Sequence, residues 1–487
     1  VDKKGLNFYL CKNLCVLVFN IKPEERRLLQ LIGETSAKLK YPVYLVGGYV
    51  RDRLLGRTSK DIDVVCIGDG IRLTNELAHL IKPQPRVNIF SRFGTAMIKI
   101  RDIELEIVGA RKESYSYESR KPFVEAGTLE DDQNRRDFTI NALAVSLNEE
   151  NFGEIIDPFN GLLHLEQKLI KTPQEPGNTF TDDPLRMLRA IRFSTQLDFT
   201  IDPITFEAIS NYKSRINIIS MERVASELNK IITAPKPSKG FKLLFDSGLL
   251  HIIFPELAAL HGVEEKNGIG HKDNFYHTLE VLDNVAKESD NVWLRWAALL
   301  HDIAKPPTKR FDKESGWTFH GHETLGAVMV GKIFKNLRLP LDHKMKYVQL
   351  LVKLHLRPIA LTKEEITDAA VRRLVFDAGE AIDDLMLLCK ADITSKNQNK
   401  KDRYRDNYDK LRDKITEIEE KDRLRNWQPP VTGEDIMNFF NLRPSREVGI
   451  LKTALREAIL EGEIPNDYEI AKDFILKKGR EIGLEVK

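Results

Sequence analysis

The sequence predicts an α+β N-terminal domain with a mixed sheet, followed by an all-α remainder. Three observations predict it. Short apolar or alternating runs, each the length of a strand, crowd into the first third of the chain. Helical periodicities lie between and after them. Beyond Pro158 the strand signals fade, and long amphipathic stretches broken at Pro235-Pro237, Pro306-Pro307 and Pro429-Pro430 take over.

Taken in order, Val43–Val46 is an apolar run ending at Gly47-Gly48, and Asp61–Ile67 alternates Asp61 and Asp63 with Ile62 and Val64. Thr95–Ile100 and Ile103–Val108 read as a hairpin turning at Arg101-Asp102. Helices are expected over 183–197, 220–233, 278–287, 294–303 and 402–424. At 487 residues the chain exceeds one domain of about 150 residues roughly threefold. With 42% hydrophobic and 30% charged residues it reads as globular. The net charge of +2 means that a polyanion would be met by local basic patches. Four cysteines, Cys11, Cys15, Cys66 and Cys389, form no disulfide framework and point to a reducing, cytoplasmic setting. The apolar stretch from Leu14 to Phe19 is too short to span a membrane and lacks a small-residue cleavage site, so no membrane partner and no signal peptide are expected. Residues 1–22 are set apart as an N-terminal extension. Oligomeric state is not legible.

Two features of the first third carry chemistry. A strand that runs into Gly47-Gly48 and then a helix bearing Arg51 can bring backbone N–H groups and a guanidinium to a phosphate. A plain strand–helix turn explains the glycines equally well. Asp61 and Asp63 point to one face of a strand whose other residues are apolar. Paired carboxylates in that setting need a cation, and Mg²⁺ takes oxygen ligands while keeping positions open for phosphates. Glu104 and Glu106 also share a face, and either can supply a third carboxylate.

The ordered set Gly47-Gly48-x-x-Arg51-Asp52, Asp61-x-Asp63, Arg135-Arg136-Asp137-Phe138-Thr139-Ile140-Asn141-Ala142 and Asp182-Asp183-Pro184-Leu185-Arg186 through Phe193 resembles the polymerase β-type nucleotidyltransferases. Within them it resembles the class II tRNA nucleotidyltransferase and bacterial poly(A) polymerase branch, from about Tyr41 to Ile232, with Ser220-x-Glu222-Arg223-Val224 fitting a later neck helix. The resemblance implies catalysis by Asp61, Asp63 and Glu106, the last favoured over Glu104 by its place five residues before Arg111. It implies Mg²⁺ on Asp61 and Asp63, and nucleotide binding by Gly48, Arg51, Arg136, Asp137, Asp183, Arg186, Arg189 and Arg192. It implies addition of C, C and A to a tRNA 3′ end from CTP and ATP, with pyrophosphate release.

The Asp183–Arg186 pair has a physical rationale. Cytosine and adenine offer an amino donor beside a ring-nitrogen acceptor. Uracil and guanine offer the reverse. A carboxylate only accepts and a guanidinium only donates, so one pair fits C and A and leaves U and G unpaired. Alternatively, Asp183 is a helix N-cap and the pair a surface salt bridge. Asp182 stands where the family commonly has Glu. The polar stretch Arg111–Gln133 falls where the family has a flexible loop.

Six of the 11 histidines lie between His277 and His355. His277, His301-Asp302 and Asp392 resemble, in order, the ligands of the HD phosphohydrolase family over about 271–395. That implies a second divalent ion, a transition metal, held by imidazole and carboxylate. The expected organisation is thus a nucleotidyltransferase head at 23–160, a helical neck binding RNA and nucleotide at 161–265, an HD domain at 266–400 and a C-terminal helical body at 401–487. The stretch from Lys390 to Arg425, with 12 basic and 9 acidic residues, reads as a solvated salt-bridged helix or as an RNA-facing surface. Rival readings are a poly(A) polymerase, whose basic segment would lie near Phe90–Gly94, an enzyme adding only CC or only A, and an HD phosphohydrolase whose N-terminal half merely binds RNA.

Overall fold

The structure is a computed structural model that describes residues 9–10, 17–19, 21, 23–91, 94–116, 119–266, 269–270, 272–361, 367–394, 398–422 and 429–486. The chain divides into two compact units, one made of Val1–Ile231 with Lys239–Ile253, the other of Ile232–Ser238 with Phe254–Lys487.

The first unit is built on a seven-stranded sheet. Its strands are β1 (Val43–Val46), β2 (Asp61–Cys66), β3 (Val87–Phe90), β4 (Thr95–Ile100), β5 (Ile103–Gly109), β6 (Ala144–Ser146) and β7 (Ile155–Ile156), in the order β7-β6-β1-β2-β5-β4-β3. Every neighbouring pair is antiparallel except β2 and β5, which are parallel, so the sheet is mixed as the sequence predicts. β2 is central, and Ile62, Val64, Val65 and Cys66 are buried in it. Alternation places Asp61 and Asp63 on the face of Val65, which joins Val46, Ala110 and Ala144 in an apolar cluster. The helix Gly70–Leu80 packs on β4 and β5, started by Asp69, whose carboxylate accepts from the amides of Ile71 and Arg72.

The stretch expected to be a loop is instead paired backbone. Arg111–Ser116 and Ser119–Ala126 form an antiparallel ribbon, and Leu129–Asn134 is a helix closed by a capping box between Thr128 and Asp131. The ribbon follows β5 directly, and the Gly127 amide returns to the Ala110 carbonyl at 2.9 Å. Its polar composition hid the strand pairing. Of the segment Phe90–Gly94, residues 92 and 93 lie outside the described residues.

Among the described residues, the second unit is helical apart from two short ribbons, Glu265–Lys266 with Ile269–Gly270 and Arg310–Asp312 with Gly316–Thr318. They are too short for periodicity to register. Its core helices are Asn274–Glu288, Val292–Leu300, His322–Asn336, His343–Leu354 and Ile382–Asp392. Among its described residues the charged helix Gln398–Asp422 buries a stripe of Leu411, Ile415 and Ile418, and Lys414 bridges Asp368 and Glu417 at 2.9 and 3.1 Å. Among the described residues, no helix is long and apolar enough to cross a membrane.

Candidate active site

Gly47 makes the turn between β1 and the helix Gly48–Leu54 at φ 73° and ψ −143°, a region that side-chain-bearing residues rarely adopt. A Cβ there would lie 3.0 Å from Asp63 Oδ2 and 3.1 Å from Arg136 Nη1. The turn therefore brings bare backbone against a carboxylate and a guanidinium at once. The parallel register sets Glu106 beside Asp63 and Glu104 beside Asp61. Glu104 is exposed and faces Lys99 at 3.4 Å, whereas Asp63 and Glu106 both line a cavity of about 160 Å³ with Arg111, Arg135 and Arg136. Asp61, one strand step away, is exposed.

Both inner carboxyls are held above their ordinary range. Burial raises Asp63, Arg136 opposes, and Asp61 adds to the rise. Burial likewise raises Glu106, reinforced by Asp63. Crowded carboxylates facing a cavity are the donor set that a hard divalent cation satisfies, so these residues fit Mg²⁺.

Around them stands a tier of arginines fixed by counter-charges. Arg51 is buried, donates to Asn141 Oδ1 at 2.7 Å and pairs in parallel with Asp52 at 2.9 and 2.8 Å. Asp132 is fully buried and accepts from Arg136 at 2.9 and 2.7 Å and from Arg135. Asp137 accepts from Arg189 at 2.7 Å and from Asn141 at 2.9 Å. Burial would raise Asp137, but Arg189, Asn141 and Arg186 outweigh it and hold it at about 2.

The helix expected from Asp183 is regular over Leu185–Leu197, and the Asp183 carboxylate accepts from the Leu185 amide at 3.1 Å, the capping role open to it. Arg186 is buried and donates to the carbonyls of Arg135 at 2.6 Å and Thr179 at 3.4 Å. The basic face of this helix is not a solvent face. Arg192 is buried against Glu227 at 3.2 Å, and burial brings it down to about 10. Arg51, Arg189 and Arg192 gather about the ring of Phe193 at 4.8, 5.3 and 4.1 Å from its centre. Asp132, Asn141 and Glu227 are the partners that sequence reasoning missed. Asp132 carried a local signal in its spacing of four from Arg136, and Asn141 in its spacing of four from Asp137, whereas Glu227 is remote from Arg192.

The second unit brings together His277, His301, Asp302 and Asp392, all expected from sequence. His277 Nε2 lies 2.8 Å from Asp392 Oδ1 and 3.6 Å from Asp302 Oδ2. His301 Nε2 lies 3.3 and 3.7 Å from Asp302 Oδ2 and Asp392 Oδ1. His301 Nδ1 meets the Ala298 carbonyl at 2.8 Å, so that nitrogen carries the proton, while buried Nε2 makes no hydrogen bond among the described residues. Burial pushes Asp302 up, but His301 and Lys305 hold it well below the carboxylate range. Asp392 lies at about 2, with burial outweighed by His277 and His301. An orphaned imidazole nitrogen facing ionised carboxylates fits a borderline-soft divalent ion. His322 and His355, not assigned from sequence, complete the cluster at 3.4 and 3.9 Å from Asp302 Oδ1.

A mixed sheet with carboxylates on parallel central strands, backed by arginines, defines a nucleotidyl-transfer head. Residues 43–171 match the Poly A polymerase head domain, 198–260 the region described as "Probable RNA and SrmB- binding site of polymerase A", and 274–396 the HD domain. The A-adding tRNA nucleotidyltransferase of Deinococcus radiodurans is 32% identical over 362 residues, covering 72% of this chain and 80% of that one. The Multifunctional CCA protein of Stenotrophomonas maltophilia is 33% identical over 379 residues, covering 72% and 85%. The fold is shared with the Bacillus stearothermophilus CCA-adding enzyme solved with CTP, at a TM-score of 0.65 and 22% identity over 95% of this chain and 99% of that one. The chain belongs to the tRNA nucleotidyltransferase family of CCA-adding and A-adding enzymes.

Proposed function

We propose that this chain adds C, C and A to the 3′ end of tRNA without a template, from CTP and ATP, releasing pyrophosphate. The observation that carries the reading is the register of β2 on β5, which sets Asp63 and Glu106 side by side within a strand step of Asp61. These three carboxylates would hold Mg²⁺. When bound, the ion supplies charge that lowers the pKa of the attacking hydroxyl and neutralises the leaving pyrophosphate. Gly47 and Gly48 let backbone approach the phosphates, and Arg51 and Arg136 face them. Asp183 and Arg186 read the base edge, oriented by the helix start and by the Arg135 carbonyl. Asp137 fixes Arg189, and Glu227 fixes Arg192, toward the nucleotide. In the second unit, His277, His301, Asp302 and Asp392 would hold a divalent transition metal. Free, buried Cys66 and Cys389 suit a cytoplasmic protein.

The test is incorporation on a tRNA transcript ending at the discriminator base, resolved at single nucleotides. Two additions with CTP alone and three with CTP plus ATP are expected, both abolished in Asp61→Ala. A long ladder from ATP alone would establish poly(A) synthesis. A single A added only to a transcript already ending in CC would establish A addition, the activity named for the Deinococcus relative. Incorporation undiminished in Asp61→Ala would overturn the site.

A further inference from the structure

The helix Gly48–Leu54 carries Arg51 and starts at the glycine turn, yet it has only 7 residues. A helix that short has no stable orientation of its own, so what packs on it decides where Arg51 lies. Its two faces are held differently. On one, Arg51 pairs with Asp52 and donates to Asn141. The Arg51 guanidinium folds back over the turn, since a Cβ on Gly48 would lie 3.6 Å from its Nη2. Tyr49 and Arg53, one helical turn apart, share the other face. There Tyr49 Oη donates to Glu25 Oε2 at 2.6 Å, and Arg53 Nε lies 3.9 Å from the same oxygen. Burial raises Tyr49 and Glu25 adds to the rise, so the phenol keeps its proton and the direction of that hydrogen bond is fixed.

Glu25 belongs to the helix Pro23–Leu39, ahead of the matched stretch 43–171, and lies outside all the motifs that carry the family resemblance. Its carboxylate is buried, and so is the Tyr49 ring, which the ring of Phe19 meets at 6.4 Å. Phe19 is itself tied down, its amide donating to the Gly153 carbonyl at 2.8 Å. Replacing a buried charged group by apolar side chains is often neutral for stability, whereas a carboxylate bound to a phenol and a guanidinium accepts one arrangement of the groups. Turning the helix by one residue would take Tyr49 from Glu25 and Arg51 from Asn141 together. We propose that Glu25 is a positioning residue of the nucleotide site: by holding Tyr49 and Arg53 it sets the rotation of the helix Gly48–Leu54 and thereby places Arg51 against the triphosphate. The proposal rests on the reading that Arg51 faces the phosphates. Glu25 acts through Arg51, so its removal weakens nucleotide binding only while Arg51 is present.

The experiment is steady-state incorporation by the full chain at saturating Mg²⁺ with CTP or ATP varied, beside thermal unfolding of each variant. Glu25→Ala is expected to raise KM for the nucleotide about fivefold with kcat within about twofold, the pattern of weakened binding rather than lost chemistry. Glu25→Gln keeps an oxygen that accepts from Tyr49 and is expected to recover most of that loss. Tyr49→Phe is expected to match Glu25→Ala, and the double variant to do no worse than either, because both remove one interaction. On top of Arg51→Ala, Glu25→Ala should leave KM where Arg51→Ala alone puts it. Leu29→Ala, buried on the same helix as Glu25, serves as the control for plain destabilisation: its melting temperature should fall while KM stays within about twofold. A Glu25→Ala chain that melts earlier with KM unchanged overturns the proposal and leaves the reading of Arg51 standing. So does a KM rise that Leu29→Ala reproduces, or one that persists in full on top of Arg51→Ala. If Arg51→Ala itself leaves KM unchanged, the reading of Arg51 fails and the proposal with it. Should Glu25→Ala not fold, Tyr49→Phe with and without Arg51→Ala decides the same question.

Discussion

Replacing Gly47 by alanine separates two demands that the turn before Gly48–Leu54 places on one residue. The first is backbone: at φ 73° and ψ −143° a Cβ-bearing residue costs about 1–3 kcal/mol. The second is space: the new methyl lies 3.0 Å from Asp63 Oδ2 and 3.1 Å from Arg136 Nη1, so both groups must retreat by a few tenths of an ångström. Gly56 supplies the control, since it also has positive φ, 71°, yet a Cβ there meets nothing within 4 Å. Gly56→Ala should lower the melting temperature of the head by several degrees, at about 2–4 °C per kcal/mol, with incorporation kinetics intact. Gly47→Ala should show a comparable thermal loss together with a roughly 3- to 10-fold fall in single-turnover C addition at saturating Mg²⁺ and CTP, because a misplacement of about 1 Å in a catalytic group costs on the order of 10²-fold and the retreat is a few tenths of that. Should Gly47→Ala turn over within twofold of Gly56→Ala, the glycine would serve the chain path alone, and Asp63 and Arg136 would not be poised where the reaction needs them.

Two further outcomes follow from the buried charges. In Asp132→Asn the guanidinium of Arg136 loses the carboxylate that fixes it at 2.9 and 2.7 Å, so KM for CTP should rise about tenfold, roughly 1.4 kcal/mol, with kcat changed much less. Steady-state kinetics showing kcat falling and KM constant would contradict the positioning role. Asp137, at about 2 in the fold against 3.8 as its ordinary value, contributes stability that is present above about pH 4 and lost as pH falls through 2, on the order of 2 kcal/mol. Denaturant unfolding of the wild type and Asp137→Asn should show their stability gap narrowing by about that amount between pH 6 and pH 2.5, and a gap indifferent to pH would refute the Arg189 pairing.

What the sequence disclosed and what it withheld divide by range. Asp61 and Asp63 were legible because strand alternation is local and their apolar neighbours predicted an interior strand. Their sheet-mate Glu106 could be preferred over Glu104 only through the family resemblance. The register supplies a physical ground: Glu106 lies across from half-buried Asp63, whereas Glu104 lies at the exposed end beside Lys99. The arginines of the helix Leu185–Leu197 were read as a basic face because the residues that neutralise them are remote. Asp137 stands 52 residues before Arg189, and Glu227 stands 35 after Arg192. A buried arginine is tolerable only with such a partner, so the helix pattern alone could not tell an anion-facing stripe from an internal network.

The histidines pose the same difficulty one level finer. Their density pointed to a metal, and the order His277, His301-Asp302, Asp392 assigned one set of ligands. Which oxygen of Asp302 faces which imidazole is a property of how Val292–Leu300, His322–Asn336 and His343–Leu354 pack. No spacing encodes it. A single carboxylate shared between two imidazole pairs becomes visible only when the helices are in place, so that contact is specified by packing rather than by motif.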